Sequence, residues 1–233
     1  VSAPSIAFFD PTAGLYGTAR AGATLIFEGA SASLVAEGPR VEAAGRGVRA
    51  EVDGRLALHV QPVGPEADLG GVTARVARVA GRVGTADVRC LGTLSETFTP
   101  PTWDELDALR SISILVDEGT ALLALARRPR GARGHGEERV TARLMHDAEL
   151  LDVEEARLST VYDGEGRQRS AGLELWLPGE EFPRRGSGVA IAGSSLDLEG
   201  LRVHAAVFRW RLEGREGLGA YELMSRREEP AAA

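Results

Sequence analysis

Lysine and asparagine are missing from this chain altogether, and all 27 of its basic residues are arginine. Without lysine, the chain cannot itself supply a Schiff base or a P-loop amine. An arginine-only set suits guanidinium recognition of phosphate. The arginines are scattered, however, and a GC-rich genome writes the same bias together with abundant Ala, Gly and Val. The net charge of −7 opposes non-specific nucleic-acid binding, which needs a concentrated positive surface. Cysteine is nearly absent too. Cys90 stands alone, so neither an intrachain disulfide nor a cysteine-based zinc cluster can form. Set among apolar neighbours in VRCLG, it reads as a buried structural thiol rather than a nucleophile. His59, His135, His146 and His204 show neither HExxH nor another paired metal spacing. There is no GxSxG, no Walker loop and no dinucleotide fingerprint, and the Gly-rich EGREGLG lacks the strand–turn–helix context of a phosphate cradle. The expectation is a protein with no metal and no built-in cofactor.

Long apolar runs are also lacking. The longest, Ile112–Val116 and Ala121–Ala126, are far too short for a membrane span. The opening VSAPSIAFFD shows no basic segment followed by an apolar core. With the lone cysteine, this makes a cytoplasmic setting the expectation.

What is present is two-residue alternation between Gly, Pro and Asp breaks, the pattern of antiparallel strands. Strands are expected at residues 5–9, 15–20, 24–28, 31–36, 41–44, 48–52, 56–61, 72–80 and 85–97. At Thr99-Pro100-Pro101-Thr102 the ladder cannot continue, because each proline removes a donor. Thr102 can cap a short helix from Trp103, with Glu105 in its first turn. The unit boundary is placed here, giving units 1–100 and 101–233. Beyond it, strands are expected at 111–116, 121–127, 140–146, 157–162, 169–177, 188–192 and 195–198. The stretch 147–157 has helix-like composition among β neighbours and is read as turn and strand. The chain closes with RVHAAVFRWRLEGREGLGAYELMSRR (202–227), a strand, a Gly-broken turn and a return strand. GVTARVARVAGRVGTADVRCLGTLSET (71–97) echoes it, and reaches Glu96 much as the later copy reaches Glu222. Two similar endings suggest two similar units of about eight strands each. Meanders of that size close into barrels, wide enough to hold one small ligand. The expected fold is therefore all-β, two tandem antiparallel barrels joined by one short helix.

Three segments stand out on this layout: FFDPTAGLYGTARAG (8–22), VYDGEGR (161–167) and FRWRLEGREGLGAYE (208–222). In them the chain resembles the two-barrel, lipocalin-like family that includes the carotenoid 1,2-hydratases (hydroxyneurosporene synthases). The resemblance implies a pair of calyces with an apolar ligand in one of them or at their junction. Water addition to isoprenoid double bonds and cyclisation of polyenes are the activities such folds suggest.

In the closing strand, alternation puts His204, Phe208 and Trp210 on one face, and Tyr221 joins them from the return strand. If that face lines a cavity, His204 is a titratable group among aromatics and suits general acid or base work. The alternative is a core histidine bonded to a backbone group, or one on the outer surface. Glu222 lies opposite, where a cross-strand pair with Arg209 would give either a tuned carboxylate acid or a plain salt bridge. Trp176, alternating with Leu173, Leu175 and Leu177, is either a cavity wall or an outer-face residue. Trp103 could close a pocket or pack between the units, and Tyr16 and Tyr162 can place hydroxyls at a barrel mouth. The function expected is binding of a small lipophilic, isoprenoid- or polyene-like molecule, with or without cofactor-independent hydration, cyclisation or isomerisation. A non-catalytic carrier or sensor, and a structural domain with filled barrels, are the rivals. His204 and Glu222 are the catalytic candidates; Trp176, Phe208, Trp210 and Tyr221 are the ligand-binding ones. The ligand, the oligomeric state and the barrel concerned stay open.

Overall fold

The computed structural model describes residues 3–133 and 135–226, so Arg227 of the closing stretch lies outside the described residues. Ten strands build a first sheet: β1 (Ala3–Asp10), β2 (Leu15–Arg20), β3 (Ala23–Glu28), β4 (Ser31–Val35), β5 (Arg40–Ala44), β6 (Gly47–Val52), β7 (Leu56–Pro62), β8 (Ala67–Asp68), β9 (Val72–Val83) and β10 (Ala86–Thr97). Nine build a second: β11 (Leu106–Leu115), β12 (Ala121–Pro129), β13 (Arg139–His146), β14 (Glu149–Asp152), β15 (Glu155–Tyr162), β16 (Gln168–Trp176), β17 (Arg184–Leu198), β18 (Leu201–Leu212) and β19 (Arg215–Arg226). The expected helix at Trp103 is a single turn, closed by Glu105 N–H donating to Thr102 C=O at 2.9 Å. Its residues pass almost at once into β11, whose ladder claims the next backbone donors. The ambiguous 147–157 stretch is a tight turn at Asp147-Ala148, both with positive φ, followed by β14.

Both sheets follow one plan. In the first, β1 to β4 pair in sequence, β5, β6 and β7 pair in sequence, β7 passes to β9 and β10, and β10 returns to β1. In the second, β11 to β14 pair in sequence, as do β15 to β19, and β19 returns to β11. Each is an up-and-down meander closed first strand to last. Among the described residues, each opens at one slit where no ladder forms, between β4 and β5 or between β14 and β15. The expected closed barrels are thus barrels with a seam. The two echoing hairpins, β9/β10 and β18/β19, occupy matching places as the closing hairpins of their sheets. Counted from the turn-flanking pairs Val83–Ala86 and Leu212–Arg215, however, it is Thr93 and not Glu96 that stands level with Glu222.

Strand parity sorts the core into three layers. Ile6, Phe8, Leu58, Val60 and Val79 fill the first barrel. Ile114, Leu122, Leu144, Leu173, Phe208 and Trp210 fill much of the second. Between the barrels, outward-facing residues of both sheets meet: Phe9, Leu25 and Phe27 against Val203, Ala205 and Val207, and Leu69 and Ala74 against Leu109 and Leu125. This middle layer explains why Val203–Phe208 and Ala121–Ala126 are buried on both faces and do not alternate in polarity.

Candidate functional site

The inward face of the second barrel is apolar at one end and polar at the other. On β18, Phe208 stacks on Trp210 with ring centroids 4.9 Å apart, and Tyr221 of β19 lies 5.5 Å from Phe208. All three are fully packed. Gly188 of β17 exists to admit the indole, since a Cβ there would sit 2.4 Å from the Trp210 ring. The first barrel uses the same device, Gly17 beneath the Phe8 ring. Above the aromatic layer, Tyr221 Oη is 2.7 Å from Thr160 Oγ1. Burial, ahead of the neighbouring Tyr162, raises the Tyr221 pKa well above the usual phenol range.

The next layer toward the mouth is charged. Arg110 of β11 shares its inward parity with Ile112 and Ile114, and is 3 % exposed. Its Nη1 donates to both carboxylate oxygens of Glu138, which is equally buried. Arg128, at the end of β12, is the next inward residue after Ala126. His204 of β18 is paired in register with Ser195 of β17, and Ser195 Oγ lies 2.7 Å from His204 Nδ1. That pairing depends on a bulge between Ala190 and Ala192, which turns Ser195 inward and sends Ala192 and Leu196 to the middle layer. Gln168 Nε2 donates to the His204 carbonyl at 3.1 Å and to the Tyr221 carbonyl at 3.3 Å, fixing the strands behind the histidine. Burial, followed by the Arg202 charge, lowers the His204 pKa and favours the neutral imidazole.

Arg110, Arg128, Tyr162 and His204 open together on a recess of about 1530 Å³, walled by Trp103, Leu201 and Leu223. Buried polar atoms are rarely left without a hydrogen-bond partner, and those that are call for a reason. Six such atoms occur among the described residues, and three of them, Arg110 Nε, Arg128 Nε and Tyr162 Oη, belong to residues lining this recess. A second groove, of about 1420 Å³, runs along the slit side past Leu158, Phe182 and Arg184. None of the six atoms belongs to a residue lining it, and charges on it are paired, as in Arg184–Glu180 and Arg157–Glu155, while Glu138, which also lines it, pairs with Arg110 of the recess. The recess is therefore the better candidate.

The sequence-derived candidates are not brought together. His204 faces the recess, whereas Glu222 points to the opposite side of the sheet, into the layer between the barrels. Its ion-pair partner is Arg20 of β2 rather than Arg209, which stands across from Leu218. Phe208, Trp210 and Tyr221 floor the barrel beneath the polar layer instead of lining its mouth. Trp176 is on the outer face, with the Arg157 guanidinium 4.7 Å above its ring. Trp103 packs on the inter-barrel layer and also walls the recess. Tyr16 lies in the inter-barrel layer. Arg110, Arg128, Glu138 and Ser195 were missed by the sequence reading. The signal for the two arginines was parity, each continuing an apolar every-second-residue row. Strand limits drawn at Ser111 and Arg127 stopped one residue short of both.

No family model and no curated protein matches the sequence. Solved structures do match. An AttH candidate from Nitrosomonas europaea superposes with a TM-score of 0.66 at 12% identity, covering 97% of this chain and 93% of that one. CghA gives 0.64 at 11%, covering 98% and 89%. Kievitone hydratase from Nectria haematococca gives 0.59 at 9%, covering 97% and 89%. Agreement over nearly the full length of each chain, at identities this low, shows a shared fold: two tandem lipocalin-like barrels.

Proposed function

We propose that the second unit, residues 101–233, binds a small lipophilic molecule in its barrel mouth and acts on it by acid–base chemistry that needs no cofactor, namely hydration, cyclisation or isomerisation. The observation that carries this is that three buried polar atoms without hydrogen-bond partners belong to residues lining one recess, where Trp103, Leu201 and Leu223 give an apolar wall within a largely charged lining. Sites for small molecules set a few polar groups against apolar surface to fix a ligand's orientation. The first barrel, filled by Phe8 and aliphatic residues, has the character of a structural partner. Ionisable groups in the mouth favour an enzyme over a carrier. A neutral His204 held by Ser195 can accept a proton, and burial keeps the Tyr221 hydroxyl below it protonated. One of the structural matches is a hydratase by name and lends the reaction class only the support of a shared fold.

The test is a titration with retinol, a neutral isoprenoid polyene, read by quenching of tryptophan fluorescence. Saturable quenching that falls in Trp103→Phe is expected; no saturable quenching would sink the binding reading. For the chemistry, isoprenoid alkenes are incubated with the protein and followed by mass and absorbance. Gain of one water, or an isomer of unchanged mass, should appear with the wild type and vanish with His204→Gln. Conversion that survives His204→Gln removes the histidine from the reaction.

A further inference from the structure

At depth in the barrel mouth two arginines meet one carboxylate, while Arg130, Arg202 and Arg226 line the same recess together with Asp107, Asp197 and Glu199. Register places Arg110 across from Ala126, and Arg128 across from Ala108, so the two arginines are diagonal neighbours on the inward face of β11 and β12. Such neighbours lie about 7 Å apart at the backbone, within reach of one planar group for side chains of this length. One carboxylate serves them, and Glu138 is already engaged by Arg110. Arg128 donates from Nη2 to the Ala132 carbonyl at 3.1 Å and forms no ion pair among the described residues. At the rim, Arg202 pairs with Asp197, Arg226 pairs with Asp104, and Asp107 accepts from Gly131 N–H at 2.9 Å. What is left at depth is the Arg128 charge without a carboxylate of its own, beside two Nε–H groups and a Tyr162 hydroxyl, next to Tyr221, that are buried without a close hydrogen-bond partner. A partly buried guanidinium without a counter-charge is costly, and truncating ion pairs shows how strongly such a site wants an anion. A carboxylate fits guanidinium donors in planar, charge-assisted bonds. Trp103, Leu201 and Leu223 beside it offer nothing to a bare inorganic anion but do cover a hydrocarbon chain.

Resting on the binding reading above, we propose that the molecule held in this mouth is a lipophilic carboxylic acid. Its carboxylate is bound by Arg128 with Arg110 and the Tyr162 hydroxyl, and its hydrocarbon part lies on Trp103, Leu201 and Leu223.

The test compares cis-parinaric acid, a fluorescent conjugated tetraene acid, with its methyl ester on the full chain. The pair shares the tetraene chain and differs at the head, a carboxylate in one and a neutral methyl ester in the other. The acid should bind the wild type at least about tenfold more tightly than the ester, as expected for one charge-assisted contact. Arg128→Met, checked for folding by circular dichroism, should bring the acid down to the ester's affinity and leave the ester unchanged. Equal affinities on the wild type would overturn the carboxylate while leaving lipophile binding standing. Equal loss of acid and ester in Arg128→Met would also overturn it, because the arginine would then act through packing. Saturable binding of neither compound would overturn both readings. The wild-type comparison needs no variant to fold.

Discussion

Arg20 of the first barrel and Glu222 of the second form an ion pair across the layer on which the two barrels meet. Burial lowers the Arg20 pKa to about 10, which still leaves the guanidinium charged at neutral pH. Glu222 Oε2 receives the guanidinium, while Oε1 is buried without a partner beside a cavity of about 50 Å³ that Thr18, Thr93, Ser111 and Ser113 also line. Room for a water-sized guest, not for a substrate, makes this a structural joint. A carboxylate there holds two sheets together rather than doing chemistry.

The joint is expected to show in stability and not in binding. Glu222→Leu leaves Arg20 buried and unpaired and should cost about 3 kcal/mol of unfolding free energy in urea. Adding Arg20→Met should recover most of that loss, because two apolar groups then meet in an apolar layer. Retinol quenching should be unchanged in the double variant, since the recess lies on the far side of the β19 backbone. Loss of quenching in that variant, with the fold intact, would return Glu222 to the site.

Much of the architecture was legible because period-two alternation is a local signal. The two closing hairpins and the shared face of His204, Phe208, Trp210 and Tyr221 follow from parity and the glycines that break it. What escaped was non-local. Arg20 and Glu222 come from opposite ends of the chain, and a sequence offers no register between strands of different sheets. Arg209 was the nearer partner on paper, yet β18/β19 register carries it away from Glu222 and opposite Leu218. Ser195 was hidden by the bulge at Ala190–Ala192, which reverses parity within one unbroken strand where Gly193 had suggested a break between two. The helix expected at Trp103 shows the opposite failure, a real local capping signal overruled by the ladder of β11.

Packing of the aromatic floor can be probed at Gly188. Its missing Cβ is what lets the Trp210 ring lie against β17. Gly188→Ala should force the indole or the strand aside and destabilise the protein by about 1–3 kcal/mol, the usual range for overpacking. A red-shifted tryptophan emission should accompany the loss, as the ring leaves its dry setting. An unchanged melting temperature would mean that the ring has slack the packing does not show.

His204 makes a prediction about pH. Its folded pKa is lowered by burial and the Arg202 charge, whereas the unfolded chain titrates near the ordinary value of about 6.5. As pH falls through that value, the unfolded state takes up a proton that the folded state resists. Stability should therefore decline as pH falls below the unfolded pKa, with no contribution above it. Urea unfolding at pH 5 and pH 7.5 should show a larger difference for the wild type than for His204→Gln. An equal difference in the two proteins would place the acid sensitivity elsewhere.

Cys90 should be nearly inert in the folded protein. Its side chain packs at the edge of the first barrel's core, and burial, with a smaller push from Asp10, raises its pKa to about 12. The thiolate is the reactive species, and an unfolded cysteine titrates near 8.5, so at pH 8 the folded thiol should react with a disulfide reagent about a thousandfold more slowly than the unfolded one. Because Cys90 is half-buried beside Phe9 and Asp10 in the first barrel, the rate reports on that barrel's local packing. If Gly188→Ala loosens only the second barrel, it should leave the labelling rate of Cys90 unchanged; if the Arg20–Glu222 joint couples the two barrels, Glu222→Leu should accelerate labelling, and the Arg20→Met/Glu222→Leu pair should restore it. Fast labelling in the wild type would show that the first barrel opens too readily to serve as the rigid partner assigned to it.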